Sequence, residues 1–230
     1  MTRERLHSER SFHDQQALER ARALRPQDYR FSEESYLQHE SWIAPAFNLL
    51  GGVRGLRVLD LGCGHGMASV VLARRGADVV ACDLSLGYVR EAQARADANG
   101  VLVPLLVCDG ERLPFADNTF DAVTCSHSFH HYPRQQCVVA EMHRVLRPDG
   151  RLLIIDGDRD RLWGRLIFDV LVVMVEGPVR HRTGADFRQL YQAAGFDDVS
   201  QCRRRGPLPF LMTVGRAVKP AASAPSRRAA

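Results

Sequence analysis

Arg57-Val58-Leu59-Asp60-Leu61-Gly62-Cys63-Gly64-His65-Gly66 decides the fold. Val58, Leu59 and Leu61 form a short apolar run that reads as a buried strand. Gly62, Gly64 and Gly66 form a turn, and Met67–Arg75 follows with apolar residues at helical spacing. Glycines at alternate positions let the main chain approach a ligand where a Cβ would collide. The helix start behind them presents unpaired N–H groups. The dinucleotide fingerprint G-x-G-x-x-G would need glycine at position 67, where this chain has Met67. That disfavours a nicotinamide dehydrogenase. Asp60, two residues before the first glycine, suits a cationic ammonium or sulfonium group better than a pyrophosphate.

Outward from this turn the chain alternates strand and helix. Asp78–Asp83 reads as the second strand, Tyr88–Asn99 as a helix closed by Gly100, and Val103–Cys108 as the third strand. Ala122–Cys125 is the fourth strand and Gln135–Leu146 a helix. Pro148-Asp149-Gly150 reads as a turn into the fifth strand, Arg151–Ile155. Continuous apolar strands alternating with helices predict an α/β doubly wound, mostly parallel sheet covered on both faces. In such sheets ligands bind at the carboxyl ends of the strands, where strand order reverses. Asp60, Asp83, Asp109 and Asp156 all fall at such ends, where acidic residues are otherwise poor strand formers. Thr183 caps a helix over Asp186–Ala194, and Val199–Arg203 with Phe210–Val218 reads as a closing antiparallel hairpin.

Three segments flank this frame. Residues 1–50 read as a helical cap, with Phe12, Ala17, Leu18, Ala21 and Leu24 as its apolar face and Tyr36 or Trp42 as residues that could face the site. Residues 159–185 form an apolar lid or insertion. Its run from Leu162 to Val175 reads first as a core helix, with a substrate wall, a dimer face and a membrane-surface contact as alternatives. Residues 219–230 are a low-complexity tail expected to be disordered.

Composition narrows the function classes. Hydrophobic residues make up 45% of 230, enough for a large core, and the net charge of +4 leaves no nucleic-acid footprint. The Arg203–Arg205 run reads as a solvated face. The six cysteines form no C-x-x-C and no His/Cys cluster at metal spacing, so no metal is expected. Cys82, Cys108 and Cys125 read as small buried strand residues of a reducing compartment. A charged amino-terminal stretch and short apolar runs predict a cytoplasmic protein without stable membrane insertion, acting as monomer or homodimer.

Together VLDLGCGHG (58–66), ACDLS (81–85), CDGERLPF (108–115), FDAVTCSHSFHHYP (120–133), LRPDGRLLIID (146–156) and AAGF (193–196) resemble the class I S-adenosylmethionine-dependent methyltransferases, in their small-molecule branch. The resemblance runs from about Gly51 to Val218. It implies a Rossmann-like seven-stranded sheet as residues 51–218, S-adenosylmethionine as cofactor and S-adenosylhomocysteine as product. It also assigns roles. Gly62, Cys63, Gly64 and Gly66 line the methionine and ribose portion, with Asp60 near the amino group. Asp83 accepts the ribose hydroxyls and Leu84 packs on adenine. Asp109 takes the adenine amino group beside Gly110, and Ser126 contacts the methionine end. His65 occupies a variable position and is expected to face solvent.

Methyl transfer needs nucleophile, methyl and sulfur held in line with water kept out, and a hydroxyl acceptor gains from a base. His127, His130 and His131 are the candidates; His127 is preferred, and His131 is kept as a second candidate against a structural reading of the His-His pair. SHSF stands where DNA-adenine and amide methyltransferases carry N-P-P-[YF], which argues against those substrates. A small-molecule acceptor at oxygen or nitrogen is the first expectation. A carbon nucleophile or lipid-like acceptor, and a catalytically silent cofactor-binding subunit, are the alternatives.

Overall fold

The structure is a computed structural model and describes residues 3–34, 43–177, 179–204 and 209–219. Seven strands form one sheet in the order β3-β2-β1-β4-β5-β7-β6. They are β1 (Arg57–Leu61), β2 (Asp78–Asp83), β3 (Leu105–Val107), β4 (Phe120–Ser126), β5 (Leu146–Gly157), β6 (Phe196–Arg204) and β7 (Phe210–Ala217). β1 pairs in parallel with both β2 and β4, so strand order reverses beside it, and β7 runs antiparallel to β5 and β6. The doubly wound sheet and the terminal hairpin therefore form as expected.

The central strands are buried on both faces because both are covered. Leu59, Val123, Leu152 and Ile154 pack with Val138, Met142 and Tyr191 on one side. Val58, Leu153 and Ile155 pack with Val70, Val71 and Ala96 on the other. The covering helices are α3 (Met67–Arg74), α4 (Leu86–Ala98), α5 (Gln135–Val145) and α8 (Gly184–Ala193), beside the shorter α2 (Ile43–Asn48). α4 starts two residues earlier than its apolar pattern suggests, because the Ser85 hydroxyl caps it by accepting from Tyr88 N at 3.1 Å. Thr183 caps α8 in a reciprocal box with Asp186.

Two expectations change. Pro148-Asp149-Gly150 lies inside β5 as an irregularity: Leu146 already pairs with Phe120, and the register resumes at Arg151 opposite Ala122. The run Leu162–Val175 is not a core helix. It forms the α-helical turns α6 (Leu162–Leu166) and α7 (Val172–Glu176) around a π-helical stretch Ile167–Leu171. Only Gly164, Ile167 and Phe168 are buried there, while Leu162, Trp163, Met174 and Val175 stay exposed. No helix among the described residues is long and apolar enough to cross a membrane.

The amino-terminal helix α1 (Arg3–Ala23) lies over the carboxyl edge of the sheet, held by polar contacts rather than by the apolar face the sequence suggested. Asp14 Oδ1 accepts from Ser85 Oγ at 2.5 Å and from Gly87 N at 3.0 Å. Tyr88 donates to Gln16 Oε1 at 3.2 Å. Ala17 is buried, and a Cβ on Gly87 would stand 2.7 Å from its methyl group, whereas Leu18 is exposed. Tyr36, Trp42 and the tail beyond Lys219 lie outside the described residues.

Candidate active site

A cavity of about 330 Å³ opens at the carboxyl edge of the sheet, where strand order reverses. The turn after β1 forms its floor. Gly62 N and Cys63 N both donate to the Cys82 carbonyl, at 2.8 and 3.0 Å, which clamps the turn to β2. Gly64 sits at φ +51 with nothing within 4 Å of where a Cβ would stand, so a side chain there would project into open space on the cavity wall. Asp83, at the end of β2, accepts from Gly64 N through Oδ2 and from Ser85 N through Oδ1, each at 2.9 Å. A carboxylate offers about four lone-pair sites. One holds the turn and one the cap residue Ser85, and the side chain lines the cavity with the rest. Burial raises the pKa of this carboxyl, and the two backbone donors pull it back.

Leu84, Asp109 and Gly110 continue the same wall, with Ser126 and His127 across from them. Asp60 is buried beneath, accepting from Ser69 Oγ at 2.5 Å and from Thr124 Oγ1 at 3.0 Å. Burial pushes its carboxyl up, against those two hydroxyls. Asp60, Gly62, Cys63, Gly64, Asp83, Leu84, Asp109, Gly110, Ser126, His127 and His131 thus meet around one cavity.

Gly66 does not line it. It sits at φ +80 at the start of α3, and a Cβ would stand 2.7 Å from that of Ala92, so its glycine serves helix packing. Gly66→Ala is expected to lower stability by about 1–3 kcal/mol through backbone strain and overpacking, as urea unfolding would measure. His65 does not face solvent either. It lines the cavity half-buried, its carbonyl accepts from Arg95, and burial with the Arg95 charge brings its imidazole down to about 3.

The histidines after β4 divide by environment. His127 adopts φ +55, donates its backbone N–H to the Ile155 carbonyl at 2.8 Å and sets its ring edge-on to Phe210 at 4.4 Å. Burial lowers it to about 4, so its imidazole is neutral at pH 7. His130 points behind the cavity, with Nδ1 2.7 Å from Asp156 Oδ1 and Nε2 3.2 Å from Glu176 Oε2. Burial opposes its charge, but the carboxylates of Asp156 and Glu176 outweigh burial and hold it protonated up to about 10. Asp156 is thereby an internal counter-ion and not a wall residue. His131 lies at the wall, lowered to about 3 by burial and by the neighbouring His130 and His13.

Sequence reasoning missed Glu9, His13 and Gln16 of α1, Tyr132 after β4 and Glu176, all of which line the cavity. Glu9 and His13 carry a signal, four residues apart on one helix, but their distance from the glycine turn hid it. The folded chain also gathers His and Glu side chains into groups at metal-ligand separations, which linear spacing could not show.

Residues 59–154 match the family model described as "Methyltransferase domain". The chain is similar to the demethylmenaquinone methyltransferase of Beutenbergia cavernae, 41% identical over 115 residues, 50% of this chain and 46% of that protein. The ubiquinone/menaquinone biosynthesis C-methyltransferase of Paraburkholderia phymatum is 35% identical over 121 residues, 51% of this chain and 50% of that protein. The chain spans about half the length of the curated relatives it matches. In fold it resembles the magnesium protoporphyrin IX methyltransferase of Synechocystis PCC 6803, solved with bound S-adenosylhomocysteine. The TM-score is 0.70 at 21% identity, over 90% of this chain and 97% of that one.

Proposed function

We propose that this chain transfers a methyl group from S-adenosylmethionine to a ring carbon of an apolar, electron-rich small molecule, a hydroquinone in chemical class. The observation that carries the cofactor reading is Asp83, a buried carboxylate that braces the glycine turn and still faces the cavity. The acceptor reading is supported by the names of the relatives, one of which specifies C-methylation. Nothing in those names favours the oxygen or nitrogen acceptor first expected.

The residues present fit the cofactor. The open space above Gly64 would accept the sugar, Asp83 would bind its two hydroxyls, and Leu84 would pack on the base. Asp109 would accept from the base amino group, with the Gly110 backbone beside it, and Asp60 would supply negative charge below the ammonium end. When bound, the cofactor supplies a methyl group on a sulfonium sulfur that leaves as a neutral sulfide. His127, neutral and across the cavity, accepts the acceptor's hydroxyl proton, which raises electron density at the adjacent ring carbon; the ring hydrogen that the methyl group replaces then leaves as a proton and restores the hydroxyl. α1 and Glu176 close the cavity and limit water. In this reading residues 1–50 are a cap, 159–185 a lid, and 51–218 the catalytic unit of a cytoplasmic monomer or homodimer.

Calorimetry with S-adenosylhomocysteine tests the first part. Wild-type protein is expected to bind it. Asp83→Ala is expected to weaken binding about 100-fold, from two hydrogen bonds to a charged group at about 1.5 kcal/mol each. Absence of binding in the wild type would overturn the cofactor reading. Transfer of labelled methyl to a ring-unsubstituted naphthohydroquinone, compared with phenolic and amine acceptors, tests the second part. Labelling of oxygen or nitrogen alone would overturn the carbon assignment.

A further inference from the structure

The face of the cavity made by α1 and the turn after β4 holds more ligating groups than methyl transfer uses. Glu9 and His13 share one face of α1, four residues apart, and His131 faces them from the turn Phe129–His131. Glu9 Oε2 lies 3.8 Å from His13 Nε2 and 3.8 Å from His131 Nδ1. All three ligand atoms fall within 4.8 Å of one another. A separation of 3.8 Å is too long for a hydrogen bond. It is close to the ~3.4 Å that separates two ligands on a tetrahedral ion with bonds of ~2.1 Å. The triangle is therefore open by the amount an ion would draw in.

His131 adds an independent sign. Its Nδ1 is buried with no hydrogen-bond partner, although such atoms in folded proteins nearly always have one. Its other nitrogen, Nε2, stands 3.5 Å from Glu176 Oε2. The Glu176 carboxylate beside Nε2 favours a proton on that nitrogen, which leaves the Nδ1 lone pair for a ligand. Glu176 is itself fixed by His130 at 3.2 Å, and His130 by Asp156 at 2.7 Å. The neighbouring group His130, Asp156 and His181 is also close-set, but there His130 Nδ1 is already spent on Asp156.

We propose that Glu9, His13 and His131 bind a divalent first-row transition ion, Zn²⁺ by donor set, with Glu176 orienting His131 and one coordination position open to the cavity. Two imidazoles and a carboxylate with an open position suit such ions. The binding site stands whether or not the chain transfers methyl groups. If the methyl-transfer reading holds, the open position would take an oxygen of the acceptor.

The test uses full-length, tag-free protein and metal alone. Co²⁺ titration is expected to give a visible d–d absorption saturating at one ion per chain, displaced by Zn²⁺, and Zn²⁺ is expected to raise the thermal midpoint. Glu9→Gln and His13→Gln should each weaken binding at least 10-fold, while His7→Gln, exposed on the same helix, should leave it unchanged. A metal-free thermal midpoint equal to wild type certifies that the variants are folded. No cobalt band and no thermal shift in the wild type overturn the proposal, as does full-strength binding by a Glu9→Gln/His13→Gln double variant.

Discussion

Turnover of a His127→Asn variant is expected to fall by about 10²- to 10⁴-fold, the usual contribution of a positioned general base. Its affinity for S-adenosylhomocysteine should stay unchanged. Asparagine is the informative substitution because position 127 holds φ +55, which asparagine tolerates and most residues do not. The strand end keeps its shape and only the imidazole is lost. Burial keeps that imidazole neutral down to about pH 4, so it carries no charge across the whole physiological range. Single-turnover kinetics with labelled cofactor would read the effect. A variant that turns over at the wild-type rate would remove His127 from the reaction and leave only a role in shaping the wall.

His130→Ala is expected to cost about 3–5 kcal/mol of folding stability, the usual penalty for removing one partner of a buried ion pair. His130 is 7% exposed and Asp156 1%, at 2.7 Å from each other. Without the imidazolium, Asp156 keeps a buried charge with little solvent to stabilise it, and Glu176 loses its nearest donor. The ring also stacks on His181 at 4.3 Å, contact that alanine would forfeit. The urea midpoint should fall with little change in slope. A loss below about 1 kcal/mol would show that the pair is screened as at a surface.

These two histidines show what a linear reading can and cannot resolve. SHSFHHYP marks a loop that lines the cavity, because it follows an apolar strand whose end must lie beside the glycine turn. It cannot rank the three imidazoles, since their roles depend on what stands behind and above each ring. Asp156 and Glu176 take His130 and α1 takes His131, and all three partners are remote in sequence. Gly66 illustrates the opposite error. It shares a motif with Gly62 and Gly64, yet its need for glycine comes from Ala92, one helix away. The apolar run Leu162–Val175 misled for a related reason. Hydrophobicity reports what burial would gain, not whether a neighbouring surface exists to receive it.

The sequence by itself determined the parallel sheet, its glycine turn and the row of carboxylates at the strand tips, because strand length, apolar continuity and turn chemistry are local properties. Only the tertiary structure decided which residues complete the cavity. The docking of α1 rests on single polar contacts such as Asp14 with Ser85, which leave no periodic trace along the chain. That docking brings Glu9 and His13 within reach of His131, across more than a hundred residues of sequence, and closes the carboxyl edge of the sheet into a cavity.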